Sequence, residues 1–398
     1  MTISPFKALL IPALCLAFFL LYLFLERVAL QKRLKKIPLR ICVNGTRGKS
    51  TVTRLIASVL AEAGYRVLAK TTGSKPVLIF PDKTEKEIKR TGKPTILEQK
   101  QVLSAACEVH ADALVVEMMS IRPENSRVES EKLLRPQVLV MTNVRLDHVD
   151  DMGGTKPEIA ASLAEAIPSR GTLLVMEEEL YPVFQAAADK KETRIIEVAR
   201  SAGRKIGGQE FEENVRLTLA VAGFFGISKD MAFRGMAKAQ PDFGGLKVWT
   251  TMSEGEAAGW YLASAFAANE PESTQKVLSL LRERFPQLPS RMIALLNLRE
   301  DRGDRTRQWL EALKAGFFDA FEHLVFIGDH ARALGRKKLS GPLAKTKISA
   351  SAERCPQKIM DEIFDRGIDG AVIIGMGNMA GLGGELVNHW ARIGVSLW

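Results

Sequence analysis

The sequence predicts an α/β protein built from two globular domains behind one N-terminal apolar helix. The first is a P-loop domain on a parallel-rich sheet and the second a C-terminal Rossmann-like α/β domain. Three observations predict this. An apolar run, Leu39–Asn44, stops at a glycine loop carrying Gly45, Gly48, Lys49 and Ser50, and a helix-period segment comes next. Further apolar runs at 113–117 and 138–141 end in polar residues, as strands of a parallel sheet do where ligands collect at one edge. Beyond Pro241, runs at 292–296, 324–327 and 371–374 alternate with helical segments. At 398 residues and 46% hydrophobic, the chain has material for two or three domains.

The N-terminus comes first. Ala8–Leu25 is 18 residues without a charge, enough to span a bilayer. Arg27, Lys32, Arg33, Lys35 and Lys36 lie after it, against Lys7 before it, so the positive-inside rule keeps the body cytoplasmic: a single-pass protein of the cell membrane. A cleaved signal peptide is the rival, although Glu26-Arg27-Val28 lacks the small-residue cleavage pattern. Cys15 comes after Leu14 and reads as a plain membrane cysteine; Cys42, Cys107 and Cys355 are scattered, without metal spacing, and predict no disulfides. The expected division is 1–36 anchor and basic juxtamembrane segment, 37–241 P-loop domain, and 242–398 C-terminal domain, with Pro241 and Asp242-Phe243-Gly244-Gly245 at the second boundary.

The loop reads as a phosphate cradle. Gly45 and Gly48 let backbone N–H groups approach phosphate oxygens, Lys49 can neutralise β/γ charge, and the Ser50 hydroxyl is suited to Mg²⁺. The common P-loop pattern has glycine where this chain has Val43. The segment C-terminal to the loop supports the cradle: Val52, Leu55, Ile56, Val59 and Leu60 predict an amphipathic helix over 50–63, Gly64 its stop, and 65–70 a returning strand. A hard cation on ATP phosphates needs oxygen ligands, and Glu117, closing its strand, supplies one. His148 alone would more often be a structural side chain; its position just after the strand 138–141 favours a place beside Mg²⁺. The predicted cofactors are ATP and Mg²⁺.

Lys and Arg outnumber Asp and Glu by 56 to 46, a net charge of +10. Part of the excess is the juxtamembrane cluster; the rest suits anionic lipid, nucleotide or a polyanionic product, or is a solvated basic surface. No recognition-helix, finger or basic–aromatic pattern is present, which excludes the common nucleic-acid modules.

These residues carry a resemblance. Asn44–Ser50, Glu117 and Asn143-Val144-x-x-Asp147-His148 resemble the central domain of the Mur ligase and folylpolyglutamate synthetase superfamily. Within it, the chain resembles poly-γ-glutamate synthase ligase subunits of the PgsB/CapB type. That likeness is carried also by 48–54, Lys70-Thr71-Thr72-Gly73, Glu98-Gln99-Lys100, Asp150-x-Met152-Gly153, Phe266-Ala267-Ala268-Asn269, Asp301-Arg302-x-Asp304-Arg305-Thr306 and Gly375-x-Gly377-Asn378. The resemblance implies a Mur-ligase-like central domain in which Gly45, Thr46, Arg47, Gly48, Lys49, Ser50 and Thr51 hold phosphates. Ser50, Glu117 and His148 would surround Mg²⁺, with Lys49, Glu117 and His148 catalytic. Asn214, before a predicted helix over 216–225, would lie beside adenine; an N-cap or turn role is its alternative. Arg302, Asp304 and Arg305 would close over nucleotide, where by themselves they read as a charged loop. Many members carry a carbamoylated lysine where this chain has Leu163, so that metal bridge is expected to be absent.

The implied activity is an ADP-forming amide ligase that polymerises glutamate through γ-amide bonds for a capsule. Its implied partners are glutamate, the growing polymer and other membrane subunits, with the oligomeric state open. The P-loop comes directly after the anchor, which disfavours a nucleotide-sugar substrate. Alternatives are a folylpolyglutamate-type ligase and a P-loop ATPase subunit that powers polymer export or regulates a membrane complex. Helical and strand runs are expected at 158–167, 171–176 and 194–198. Gly375–Gly381, after the last strand, reads either as a phosphate- or carboxylate-approaching loop or as tight packing. Trp249, Trp260, Trp309, Trp390 and Trp398 read as core or interface filling.

Overall fold

The computed structural model describes residues 5–73, 75–90, 92, 94–176, 179–199, 212–251, 259–329, 331, 334, 346–365 and 370–397. The chain divides into two compact units. Met1–Thr72, Pro76–Val144 and Thr155–Gln240 form one; Gly73–Lys75, Arg145–Gly154 and Pro241–Trp398 form the other.

The first unit holds an eight-stranded sheet: β1 Leu39–Asn44, β2 Val67–Thr71, β3 Val77–Ile79, β4 Glu85–Glu87, β5 Ala113–Glu117, β6 Val138–Met141, β7 Thr172–Val175 and β8 Arg194–Glu197. The order is β4-β3-β2-β5-β1-β6-β7-β8. Pairing is parallel from β2 to β8, and the β3–β4 hairpin is added antiparallel. The central strands are buried along most of their length, so they read as continuous apolar runs rather than alternating ones. Helix α2, Lys49–Glu62, lays Val52, Ile56 and Leu60 onto Ile41, Val43, Val115 and Val140.

The apolar N-terminal run forms part of one long helix, α1, Pro5–Lys36. It is long and apolar enough to cross a membrane, and its large side chains from Leu10 to Leu25 are exposed. Its last turns belong to the first unit. Leu34 and, just beyond the helix, Ile37 are buried, and Glu26 pairs with Lys100 of α3, Glu98–Glu108, at 2.5 Å. The Arg40 guanidinium donates to the Leu34 and Ile37 carbonyls, satisfying acceptors at the helix end.

The second unit holds a seven-stranded sheet of β9 Lys247–Thr250, β10 Tyr261–Ser264, β11 Met292–Leu298, β12 His323–Gly328, β13 Lys347–Ala350, β14 Val372–Gly377 and β15 Val395–Ser396. Its order is β13-β12-β11-β14-β10-β9-β15. Pairing is parallel from β13 to β10 and antiparallel at β9 and β15. Its core gathers Phe266, Ile293, Leu295, Ile373, Trp249 and Trp390.

Two expectations are corrected. Gly375 and Gly377 lie inside β14, not in a loop after it. A side chain on Gly375 would overlap the Phe266 ring, and one on Gly377 the Asn297 carbonyl, so the pair serves close packing. The helix expected to start at Arg216 starts at Glu212, which places Asn214 inside its first turn. Trp249, Trp309 and Trp390 are buried; Trp260 packs on Phe364 with ring centroids 4.9 Å apart; Trp398 lies outside the described residues.

Candidate active site

In the first unit β1 lies between β5 and β6, although the chain visits β2 before β5. This makes the carboxyl end of β1 a topological switch point, where crossovers leave toward opposite sides and a crevice opens. Register brings Val43 beside Glu117 and Asn44 beside Met141, so the glycine loop, the Glu117 carboxylate and the Thr142-Asn143 exit share that edge.

The loop is held by Asn143. Its Oδ1 accepts from the Thr46 hydroxyl at 2.8 Å and the Arg47 amide at 3.0 Å, and its Nδ2 donates to the Arg47 carbonyl at 3.1 Å. Gly45 and Gly48 have φ of 127° and 78°, a region costly for any residue with a Cβ. A Cβ on Gly45 would strike Thr142 Oγ1, and one on Gly48 would stand 2.8 Å from Asn214 Oδ1. Gly48 also starts α2, which has no side-chain cap, so the first helical amides and the dipole point toward the loop. Lys49 Nζ reaches the Gly45 carbonyl at 2.8 Å. Ser50 Oγ donates to Glu117 Oε2 at 2.8 Å, and the Thr72 amide donates to the same oxygen at 2.7 Å. Thr51, half-buried, completes the loop-to-helix corner.

Thus Gly45, Thr46, Arg47, Gly48, Lys49, Ser50, Thr51, Glu117 and Asn214 all come together in the first unit. The buried Asn214 lies over the loop from within a helix, which rules against a cap or turn role. A Ser hydroxyl and a carboxylate suit a hard cation. Among the described residues no three of His, Cys, Asp and Glu are grouped to hold a metal by themselves, so a cation bound at Ser50 and Glu117 would fill its shell with water or phosphate oxygens. At the same edge Asn44 Nδ2, Thr71 Oγ1 and Thr142 Oγ1 are buried without a hydrogen-bond partner in the protein, as befits a place that meets a polar ligand.

His148, Arg302, Asp304 and Arg305 belong to the second unit, with the segment 145–154. His148 is left-handed, φ 51° and ψ 42°, a conformation of the kind found where a site fixes a side chain. Its amide donates to Asp147 Oδ1 at 3.0 Å, and its Nε2 lies 3.6 Å from Asp147. Buried Asp147 also takes Arg302 and Arg305, each at 3.2 Å, and Arg305 continues to Asn378 Oδ1 at 2.9 Å. Burial alone would lower Arg302, but Asp304 and Asp147 outweigh it and raise it above its usual value; at Asp304 burial pushes up, but Arg302, with Arg305, outweighs it and holds that carboxyl low. Arg302, Asp304 and Arg305 are therefore a partly buried charge network, not a solvated loop. Arg145 adds a 2.8 Å bond to Ser273. In the sequence Asn143 and Asp147 stand out only as parts of a motif, without a role of their own; their signal is a polar residue shortly after a buried strand.

Residues 43–232 match the Mur ligase middle domain, and 250–393 match the poly-gamma-glutamate synthase CapB C-terminal domain. The PGA synthase CapB of Bacillus subtilis (strain 168) is 33% identical over 371 residues, 91% of this chain and 93% of that protein. The capsule biosynthesis protein CapB of Bacillus anthracis is 36% identical over 303 residues, 74% of this chain and 65% of that protein. Among solved structures, FolC of E. coli in complex with ADP superposes with a TM-score of 0.64 at 19% identity, covering 95% of this chain and 98% of that one. MurF from Acinetobacter baumannii gives 0.64 at 16%, covering 91% and 80%. At these identities the structural matches establish the fold. With a middle-domain match on the P-loop unit, a CapB match on the second, and a CapB relative aligned along nearly its whole length, the chain belongs to the CapB family of poly-γ-glutamate synthases.

Proposed function

We propose that this protein is an ATP-dependent, ADP-forming amide ligase that joins glutamate units through γ-amide bonds by way of an acyl phosphate. The observation that carries the reading is the Ser50–Glu117 pair at the N-terminus of α2, beside Lys49 in a loop of two left-handed glycines. Two relatives in fold support the nucleotide and metal: FolC of E. coli was solved with ADP, and a Yersinia pestis folylpolyglutamate synthase with AMPPNP and Mn.

The loop amides and Lys49 hold the phosphates and neutralise their charge, and Ser50 and Glu117 supply oxygen donors for Mg²⁺. Mg²⁺ held by Ser50 and Glu117 would screen the repulsion between an incoming carboxylate and the γ-phosphate. The chain's residues then hold that carboxylate in line with the γ-phosphorus, so its oxygen attacks and ADP leaves. A glutamate amine attacks the acyl carbon, the bond from that carbon to the phosphate oxygen breaks, and the amine's proton leaves with the phosphate, so that an amide remains. Glu117, His148 and Lys49 are the proposed catalytic set. Asn214, Arg302, Asp304 and Arg305 are proposed nucleotide contacts, and His148 a further metal ligand. The proposed working parts are 1–36, a membrane anchor by α1; 37–241, the ATP domain; and 242–398, the ligase domain, facing the cytoplasm beside partner subunits.

The test is ADP release by the full-length protein in membranes, with and without L- or D-glutamate and a short poly-γ-glutamate primer, beside Lys49→Ala. Glutamate-stimulated turnover with γ-linked product, abolished in the variant, is the expected result. Turnover indifferent to glutamate would instead identify an export ATPase.

A further inference from the structure

The Glu117 carboxylate is fixed from two directions. Its Oε2 receives Ser50 Oγ and the Thr72 amide, so its position depends on where the chain leaves β5 and where it leaves β2. One buried polar cluster grips both exits. At the end of β2, Lys70 has no solvent exposure and its ammonium lies 2.7 Å from Glu98. Glu98 also receives a two-pronged Arg90 at 2.7 and 3.1 Å. Lys70 reaches Gln99 Oε1 at 3.4 Å, and Gln99 Nε2 donates to Glu129 at 2.5 Å. Glu129, fully buried, accepts from the Met119 and Ser120 amides and the Ser120 hydroxyl, the residues that continue β5 past Glu117.

Stability is an incomplete account of this cluster. β2 is otherwise a mostly apolar buried strand, and a buried ion pair is often matched or exceeded by well-packed apolar residues. Desolvation lowers the Lys70 pKa, and Glu98 recovers only part of that loss. Glu129 moreover opens a π-helical turn, Glu129–Leu134, a geometry that is rare and frequent at functional sites. What the cluster does achieve is geometric: it begins at Lys70, one residue from the end of β2, and ends at the Met119 and Ser120 amides just past β5, so it joins the two exits that hold Glu117.

We propose that Lys70, acting through Glu98, Gln99 and Glu129, is a positioning residue that sets the Glu117 carboxylate against Ser50 for binding of the metal–nucleotide complex. This rests on reading Ser50 and Glu117 as the metal side of a nucleotide site.

The experiment is equilibrium binding of N-methylanthraniloyl-ADP to the full-length protein across a Mg²⁺ titration, with an EDTA baseline. Lys70→Met is expected to raise the Mg²⁺ concentration for half-maximal tightening by about tenfold, as loss of outer-shell support does, leaving EDTA binding unchanged. Lys70→Arg should restore much of it. Because Lys70→Met leaves Glu98 short of a partner, the double variant Lys70→Met/Glu98→Gln, which buries no unpaired charge at that pair, is measured beside it with thermal unfolding. It should show the same shift. An unchanged Mg²⁺ midpoint in folded variants, an equal loss with EDTA and with Mg²⁺, or failure of both variants to fold would overturn the proposal. Absence of any Mg²⁺ effect in the unsubstituted protein would overturn the nucleotide reading and this proposal with it.

Discussion

Asp147 shows how much one carboxylate can organise. It is buried, carries two guanidinium groups and orients the His148 backbone. Replacing it by Asn keeps the shape but takes a counter-charge from Arg305, while Arg302 retains Asp304. Breaking a buried pair from one side costs about 3 kcal/mol, so Asp147→Asn should lower the urea midpoint of the second unit by that equivalent. Tryptophan emission during urea titration checks it. Acid should act on the same chemistry. Glu98 is pushed up by burial, but Arg90 and Lys70 outweigh this and hold it below its ordinary 4.5, and Arg302 likewise holds Asp304 below 3.8. A depressed carboxyl contributes stability that is complete above its unfolded value and is lost as pH falls through its folded value. The melting temperature should therefore decline once pH drops below about 4.5, and less steeply in Lys70→Met/Glu98→Gln, as a pH series of thermal melts would show.

Among the elements, α1 has two halves with different attachments. From Leu10 to Leu25 its large side chains are exposed, whereas Leu34 and Ile37 are buried and Arg40 seals the helix end. Deleting residues 1–25 should leave the melting temperature of the body unchanged and release it from membranes. Deleting 1–37 removes two buried aliphatic side chains, worth roughly 3 kcal/mol together, and should produce a destabilised or aggregating protein. Flotation on vesicles and thermal melts of the two truncations separate these outcomes. On the helix Lys156–Ala164, Leu163 is buried and apolar and serves the packing of the first unit.

At the scale of the molecule, the two cores are separate and have different optical signatures. All five tryptophans lie at or beyond position 249, in the second unit. Tryptophan emission therefore reads that unit, while far-ultraviolet circular dichroism reads both. A ligand that binds the P-loop stabilises only what it touches, by about 2.7 kcal/mol at a hundredfold excess over Kd. ADP with Mg²⁺ should raise the dichroism transition, and the emission transition should rise as well if Arg302, Asp304 and Arg305 contact the nucleotide as proposed. An emission transition that stays in place would count against those contacts.

Local structure is legible from neighbouring residues. The periodicity over 50–63, the run Leu39–Asn44 and the Gly45–Ser50 loop specify a strand, a phosphate cradle and a helix, because hydrophobic period and glycine's access to positive φ are properties of neighbouring residues. Glu117 was legible as a carboxylate closing an apolar run. What the tertiary structure alone decided is which distant residues meet. Register across β1, β5 and β6 brought Asn143 onto the loop and Ser50 onto Glu117. Helix packing brought Asn214 over Gly48, and the buried network joined Lys70 to Glu98, Gln99 and Glu129. Pairings separated by tens of residues leave no periodic trace in the chain. They arise when burial forces each polar group to find a partner, and only a folded chain says which partner is within reach.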